Sequence, residues 1–100
     1  MPLIARMNRP EDDPAAFAAA VGALERGELV AVPTETVYGL ACDATNPEAI
    51  ARLYAAKGRP FINPLIAHVA DVAAALREGD LDSRALRLAD AFWPGPMTLV

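Results

Sequence analysis

The fold of this sequence is decided by one apolar stretch, Leu29-Val30-Ala31-Val32-Pro33, and by the polar run that follows it, Thr34-Glu35-Thr36-Val37-Tyr38-Gly39. A short apolar run that ends at a proline is typical of a strand buried on both faces. The polar run has no clean period, which predicts a loop directly after the strand. Because open α/β sheets bind ligands at the carboxyl ends of their strands, this loop is the first candidate for a binding site.

Four helices are predicted around this stretch from their start and stop signals. Aspartate or asparagine before a helix, proline at its first position and glycine just after its end are typical of helix boundaries. The predicted helices run from Asp13-Pro14 to Gly27, from Asn46-Pro47 to Lys57-Gly58, from Asp71 to about Glu78, and from Asp82 or Ser83 to just before Trp93. Three of them have an apolar face, formed by Phe17, Val21 and Leu24, by Ile50, Leu53 and Tyr54, and by Ala85, Leu88 and Phe92.

Further strands are predicted over Leu40–Ala44 and Leu65–Val69, and Met97–Val100 is typical of the opening of another. Helices and strands therefore alternate, which predicts an α/β fold. A length of 100 residues suits a single domain. Because the sequence stops within an apolar run, we expect it to be part of a longer protein.

Composition and charge narrow the class of protein. Apolar residues make up 54% of the chain and charged residues 22%, which excludes a disordered protein. The net charge of −4 disfavours a protein that binds the phosphate backbone of nucleic acid. The single cysteine, Cys42, cannot form an internal disulfide, and no segment is long enough to span a membrane. These features predict a cytoplasmic protein without a membrane association.

The loop after the first strand holds two hydroxyl groups, a carboxylate and a phenol, contributed by Thr34, Thr36, Glu35 and Tyr38. Such a loop can present several hydrogen-bonding groups to a small polar ligand. The alternative is a surface turn in which the threonines only satisfy nearby backbone groups.

A second group of polar residues follows the second predicted helix. Lys57 and Arg59 could both face one anionic group, with arginine binding phosphate oxygens in a bidentate manner. Alternatively, they are cations that stabilise the carboxyl end of the helix. Asn63 is a further donor and acceptor, although by itself it is typical of a turn.

His68 is the only histidine, and it lies inside the apolar run that starts at Leu65. A lone histidine in a strand has a structural explanation as well as a functional one, and no second residue stands at metal-ligand spacing from it. The run Trp93-Pro94-Gly95-Pro96 predicts a rigid turn that stops the last helix and anchors an aromatic ring.

In combination, five motifs resemble the YrdC-like domain of the threonylcarbamoyl-AMP synthase family. The resemblance covers residues 15–100 and keeps the order and spacing of the family. The motifs are Pro-Thr-Glu-Thr-Val-Tyr-Gly-Leu at 33–40, Lys-Gly-Arg-Pro at 57–60, Asn-Pro-Leu-Ile at 63–66, His68, and Trp-Pro-Gly-Pro-Met-Thr at 93–98. It implies that residues 1–100 are the N-terminal part of one YrdC-like domain, with a twisted, mostly parallel or mixed sheet flanked by helices.

The resemblance implies an enzyme that makes threonylcarbamoyl-AMP and pyrophosphate from L-threonine, bicarbonate and ATP. The adenylate then serves a downstream threonylcarbamoyl transferase that modifies tRNA, so contact with tRNA itself is expected to be weak or indirect. The Mg²⁺ ion comes with ATP, and no metal held tightly by the protein is expected. Cys42 is expected to have no nucleophilic role, since the reaction needs no covalent intermediate.

The resemblance also implies roles for individual residues. Thr36 and His68 would contact L-threonine, and Arg59 and Asn63 would contact ATP. Lys57 completes the Lys-x-Arg pair of the family, so Lys57 and Arg59 are the catalytic candidates, supplying positive charge to the phosphates or the carbamate. Thr34 and Tyr38 are further candidates for the cleft.

One element of the family is absent from the sequence. No Ser-x-Asn occurs in residues 1–100, so the site is incomplete and we expect this chain alone to be inactive or unable to fold stably. Three alternative functions remain: a YrdC-like carbamoyltransferase of hydrogenase maturation, a non-catalytic RNA-binding module, and a purely structural α/β domain. The single cysteine and the early start of the domain argue against the first, and the acidic charge argues against the second.

Overall fold

The computed structural model describes residues 9–100; residues 1–8 of the predicted domain lie outside the described part. These residues form two compact units, one that ends at Asn63 and one that spans Pro64–Val100. The first unit holds a single 3₁₀ turn (Pro10–Asp12), helix α1 (Pro14–Glu25), strands β1 (Val30–Pro33) and β2 (Tyr38–Ala41), and helix α2 (Pro47–Lys57). The second holds helices α3 (Val72–Glu78) and α4 (Ser83–Phe92).

All four helices begin at the predicted capping residues. The Asp13 carboxylate accepts a hydrogen bond from the Ala16 amide (3.0 Å), and the Asn46 side chain accepts from the amides of Glu48 and Ala49. Asp71 and Asp82 do the same for α3 and α4. Each side chain satisfies an amide that the helix leaves without a partner, and the predicted helix starts are therefore confirmed.

Helices α1 and α2 end in the same way. In each, a glycine with positive φ stands at the end of the helix, Gly27 (78°) or Gly58 (60°). The amide of that glycine and the amide of the residue after it donate to carbonyls of the last turn. This is the Schellman arrangement, which favours glycine because residues with a Cβ are strained at positive φ. The Arg52 guanidinium donates to the Gly27 carbonyl at 2.7 Å, so α2 is bonded to the end of α1.

The sheet of the first unit has two antiparallel strands. Val30 pairs with Ala41 and Pro33 pairs with Tyr38, so the predicted loop between them shortens to a tight turn. β1 is not buried on both faces as its composition predicted, because Ala31 and Pro33 are exposed. A two-stranded pair cannot cover both of its faces, and the prediction assumed neighbours on either side.

The core of the first unit lies along α2. Its buried residues there are Ala49, Leu53 and Tyr54, of which Leu53 and Tyr54 belong to the predicted apolar face. Helix α1 packs against β1, but its predicted face remains partly exposed at Phe17 and Val21. The large buried side chains of the described part of the first unit therefore lie on α2.

The second unit consists of α3 and α4, which pack against each other and bury Ala75 and Ala89. The predicted face of α4 is only partly correct, since Leu88 and Phe92 are exposed. Trp93 ends α4 as predicted, and its indole N–H donates to the Met97 carbonyl at 2.8 Å.

The strand predicted over Leu65–Val69 does not form, and neither does the strand expected from Met97 onward. Pro64–Val100 contains no paired strand, and Ile66 is 66% exposed. Strands are defined by their hydrogen bonds to a neighbour, which an apolar run cannot supply by itself. Apolar composition therefore identified segments suited to a sheet without identifying a partner for them.

Candidate functional site

The first candidate segment is the turn between β1 and β2, Thr34–Val37. The Thr34 amide donates to the Val37 carbonyl at 3.1 Å. The Thr34 hydroxyl donates to the same carbonyl, and its oxygen accepts from the amides of Thr36 (3.4 Å) and Val37 (3.2 Å). Thr34 thus closes the turn through both its backbone and its side chain, as a hydroxyl at the first position of a turn does.

This geometry separates the roles of Thr34, Thr36 and Tyr38, the three residues of this loop that were predicted to belong to the site. The Thr34 hydroxyl is already engaged by the backbone of the turn, which is the alternative that the sequence left open for it. Thr36 lies at the exposed part of the turn and Tyr38 is the first residue of β2, where it is 79% exposed. Thr36 in the turn and Tyr38 at the start of β2 are therefore exposed, while Thr34 fixes the shape of the turn.

The second candidate segment is Gly58–Asn63, which follows α2 directly. Lys57 is the last residue of the helix and is exposed, whereas Arg59 comes after Gly58 and is half-buried. The left-handed conformation of Gly58 turns the chain away from the helix axis between the two cations. Lys57 thus has the helix-terminal position that the sequence left open as an alternative, and Arg59 begins an irregular segment.

The rest of this segment is a tight turn. The Asn63 amide donates to the Pro60 carbonyl at 3.0 Å, which places Phe61 and Ile62 at the exposed tip. Asn63 is exposed at the end of the turn, so its amide side chain faces solvent while its backbone is fixed. Arg59 and Asn63 thus lie near the start and at the end of one segment, which begins directly after Lys57.

Sequence reasoning missed the residue that holds this segment, Tyr54. Its hydroxyl donates to the Asn63 carbonyl at 2.6 Å, and its ring lies 4.8 Å from that of Phe61. Its own carbonyl accepts from the Arg59 amide at 3.1 Å. A signal existed in the position of Tyr54 four residues before Gly58, because this is the residue whose carbonyl a Schellman ending uses.

His68 belongs to the second unit, between Pro64 and the start of α3, and it is exposed. Its predicted contact with L-threonine stays a prediction. The same holds for the contacts predicted for Thr36, Lys57, Arg59 and Asn63.

Two neighbouring groups after β2 have shifted pKa values. Burial raises the pKa of the Cys42 thiol, and the negative charge of Asp43 adds to this, so the thiol is protonated at neutral pH. Hydrogen bonds from the hydroxyl and the amide of Thr45 lower the pKa of Asp43. Asp43 therefore remains a carboxylate that holds the turn leading into α2.

Within residues 9–100, no group of three His, Cys, Asp or Glu side chains is arranged to hold a metal ion. None of the helices in the described part of the chain combines the length and the apolar character needed to cross a lipid bilayer.

Comparison with protein families gives a match that covers most of the chain. The model of the family named for Sua5, YciO and YrdC, and described as telomere recombination, matches residues 22–100. This range contains α2, both strands and every predicted site residue.

Curated relatives carry a more specific name. A threonylcarbamoyl-AMP synthase of Bacillus subtilis is 46% identical over 86 residues, and one of Pyrococcus abyssi is 48% identical over 82 residues. These alignments cover 84% and 81% of this chain but only 25% and 24% of the relatives. A third synthase, from Halorhodospira halophila, is 44% identical, and the alignment covers 43% of it. The chain thus spans about a quarter to less than half the length of these relatives.

Among solved structures, the chain is similar to P. abyssi Sua5, which was crystallised in complex with L-threonine. The TM-score is 0.71 at 46% identity, over 77% of this chain and 23% of that one. The predicted fold class, α/β and YrdC-like, is confirmed by this similarity.

Proposed function

The chain belongs to the Sua5/YciO/YrdC family, and we propose from this that it supplies part of the active site of an L-threonylcarbamoyladenylate synthase. The reaction joins L-threonine and bicarbonate to AMP and releases pyrophosphate from ATP. The observation that carries the proposal is the close sequence identity to three enzymes named threonylcarbamoyl-AMP synthase. The motifs that suggested this activity all lie within the matched residues.

The proposed chemistry has two steps. The amine of L-threonine adds to bicarbonate with loss of water, which gives a carbamate. A carbamate oxygen then attacks the α-phosphorus of ATP, the bond from that phosphorus to the bridging oxygen breaks, and pyrophosphate leaves. Since both reacting partners are anions, the site has to hold them in line and offset negative charge in the transition state.

We assign that electrostatic role to Lys57 and Arg59. Both lie at or just after the carboxyl end of α2, and Arg59 begins a segment whose backbone is fixed by hydrogen bonds. Arginine suits phosphate oxygens because its guanidinium offers parallel donors, whereas Lys57 adds a mobile point charge. The Mg²⁺ ion enters with ATP as part of the substrate.

The remaining roles follow the sequence resemblance. Asn63 would bind ATP from the same segment as Arg59, and Thr36 would contact L-threonine from the tip of the β1–β2 turn. Tyr38 would border the cleft beside Thr36, and Thr34 would act through the shape of the turn. His68 is proposed as a further contact for L-threonine from the resemblance alone, and its test is separate.

We also propose that the product passes to a threonylcarbamoyl transferase that acts on tRNA, in the cytoplasm. The acidic net charge of the chain supports weak or indirect contact with tRNA.

Mass spectrometry of reactions containing MgATP, L-threonine and bicarbonate tests the activity with the full-length protein. Threonylcarbamoyl-AMP and pyrophosphate should appear together, and omission of any one substrate should abolish both. Pyrophosphate release that continues without L-threonine would refute the proposed reaction.

Three alanine variants test the assigned roles. Arg59→Ala should raise the KM for ATP, and His68→Ala should raise the KM for L-threonine. Arg77→Ala, which alters an exposed arginine of α3, should leave both unchanged. Equal effects of Arg59→Ala on both substrates would contradict its assignment to ATP.

A further inference from the structure

Tyr54 makes three separate contacts with the segment that carries Arg59 and Asn63. Its carbonyl accepts the Arg59 amide at 3.1 Å, near the start of the segment. The centroid of its ring lies 4.8 Å from the centroid of the Phe61 ring, in the middle of the segment. Its hydroxyl donates to the Asn63 carbonyl at 2.6 Å, at the end. One side chain and its own backbone thus touch Gly58–Asn63 at the beginning, at the centre and at the end.

Tyr54 is well placed to fix a neighbouring segment because it is itself fixed. It is only 7% exposed and lies in the buried face of α2 beside Leu53. The same helix is capped at its start by Asn46 and bonded to the end of α1 through Arg52 and Gly27. A side chain with two rotatable bonds on such a helix has few alternative positions.

The second half of the segment is exposed to solvent. Phe61 and Ile62 are 74% and 89% exposed, and Asn63 is exposed as well. Exposed turns of this kind sample several conformations unless a contact from a packed element orders them. The hydroxyl of Tyr54 supplies such a contact at the residue whose side chain is proposed to bind ATP.

We propose that Tyr54 is a positioning residue for ATP binding, which holds Gly58–Asn63 in the conformation in which Arg59 and Asn63 reach the nucleotide. This inference rests on the proposed function. A group that is already ordered binds with a smaller loss of conformational entropy, so the hydroxyl should act on the affinity for ATP without touching it.

The competing explanation is that Tyr54 is only a core residue. A core role belongs to the ring, whereas the positioning role belongs to the hydroxyl, so Tyr54→Phe separates the two. The variant keeps the buried ring and its contact with Phe61, and it removes only the bond to the Asn63 carbonyl. Arg52→Met is the matched control, because it removes a side-chain-to-carbonyl bond of 2.7 Å from the same helix but toward Gly27.

The experiment measures the dissociation constants of MgATP and of L-threonine by calorimetry with the full-length protein and both variants. We expect Tyr54→Phe to weaken MgATP binding about three- to tenfold, the range that the loss of one neutral hydrogen bond corresponds to. The dissociation constant of L-threonine should stay unchanged. Arg52→Met should lower the thermal midpoint and leave both dissociation constants unchanged.

A further variant, Phe61→Ala, and a further measurement, hydrogen exchange at the Asn63 amide, provide independent tests of the positioning role. Phe61→Ala alters an exposed residue and removes the ring contact, and it should also weaken MgATP binding, by less than Tyr54→Phe. The Asn63 amide should exchange its hydrogen faster in Tyr54→Phe than in the unmodified protein.

The outcomes separate this inference from the proposed function. If the unmodified protein binds no MgATP, the proposed function and the inference both fail. If it binds MgATP and both Tyr54→Phe and Phe61→Ala bind it equally well, the proposed function stands and the positioning role is refuted.

Discussion

The two segments that carry the candidate residues of the first unit are held in place by different means. The turn Thr34–Val37 is closed from within, by the amide and the hydroxyl of its own first residue. The segment Gly58–Asn63 also has an internal bond, from the Asn63 amide to the Pro60 carbonyl, but it is in addition held from outside by a buried tyrosine of the preceding helix. The conformation of a turn that is closed by its own residues depends on those hydrogen bonds alone. The conformation of an anchored segment depends on the stability of the core that holds the anchoring residue.

The difference predicts how each segment responds to change. Damage to the threonine turn should remain local, since none of its hydrogen bonds involves α2. Damage to Tyr54 should affect the candidate ATP segment and the core of the first unit together. Matched substitutions in and beside the two segments test this contrast.

The largest effect is expected from the two tyrosines. Tyr54→Ala removes the aromatic ring of a residue that is only 7% exposed and should lower the free energy of unfolding by about 3–5 kcal/mol. Tyr38→Ala alters a ring that is 79% exposed and should change it by less than about 0.5 kcal/mol. Denaturant unfolding of the full-length variants measures both. Similar losses for the two would show that the anchoring contrast is wrong.

A smaller effect is expected from Gly58, compared with Gly39 of the strand that follows the threonine turn. Gly58 has φ of 60°, so Gly58→Ala should cost about 1–2 kcal/mol from backbone strain although no atom lies within 4 Å of the new Cβ. Gly39→Ala is the control, because its Cβ would meet only Thr34 Cγ2, at an ordinary 3.6 Å. Thermal unfolding of both variants should show a lower midpoint for Gly58→Ala alone.

A local effect is expected at the threonine turn. Thr34→Val removes the hydroxyl that bonds Thr36 and Val37, and it should destabilise the turn by about 0.5–1 kcal/mol. Hydrogen exchange should accelerate at the Thr36 amide, while exchange at the Asn63 amide stays constant. Thr34→Ser keeps the hydroxyl and should exchange like the unmodified protein. Accelerated exchange at Asn63 in Thr34→Val would show that the two segments are coupled.

The smallest effect on stability is expected from a fall in pH. It should concern Asp43, which lies just after the second strand of the hairpin. The pKa of Asp43 is lowered in the folded state, first by the Thr45 hydroxyl and then by the Thr45 amide. Its contribution is therefore complete above the ordinary pKa range of an aspartate and is lost as pH falls through the lowered value. The bond from Tyr54 to Asn63 joins two neutral groups and should persist.

A pH titration followed by NMR tests this expectation. The Thr45 amide should shift with the protonation of Asp43 while the Asn63 amide does not. In Thr45→Val the pKa of Asp43 should rise toward the ordinary range. An Asp43 carboxyl that titrates at the same pH with and without the Thr45 hydroxyl would contradict the assigned cause.

The sequence predicted what depends on neighbouring residues. Each helix starts at its predicted cap because the carboxylate or amide of that residue reaches an amide two or three positions later. The end of α2 follows in the same way from Gly58 and its positive φ. The order of the motifs identified the family because it is read from the sequence alone and needs no knowledge of tertiary contacts.

The sequence could not predict what depends on distant partners. Leu65–Val69 has the composition of a strand, but a strand needs a neighbour, and no pattern within the run specifies one. Phe17 and Leu88 were assigned to buried faces from their spacing, whereas burial depends on what packs against those faces. The sequence predicts only a core role for Tyr54. Its bond to Asn63 joins residues nine positions apart, and no periodic pattern of the sequence indicates such a bond.

The bond from Tyr54 ends on a backbone carbonyl, and this has an evolutionary consequence. Any amino acid at position 63 offers the same acceptor, so the side chain there can drift or be redesigned without loss of the anchor. If Asn63 binds ATP as proposed, its exchange for other polar residues should change nucleotide preference on an unchanged backbone. The tolerance would end at position 54, where no other natural side chain combines a buried ring with a hydroxyl at that reach.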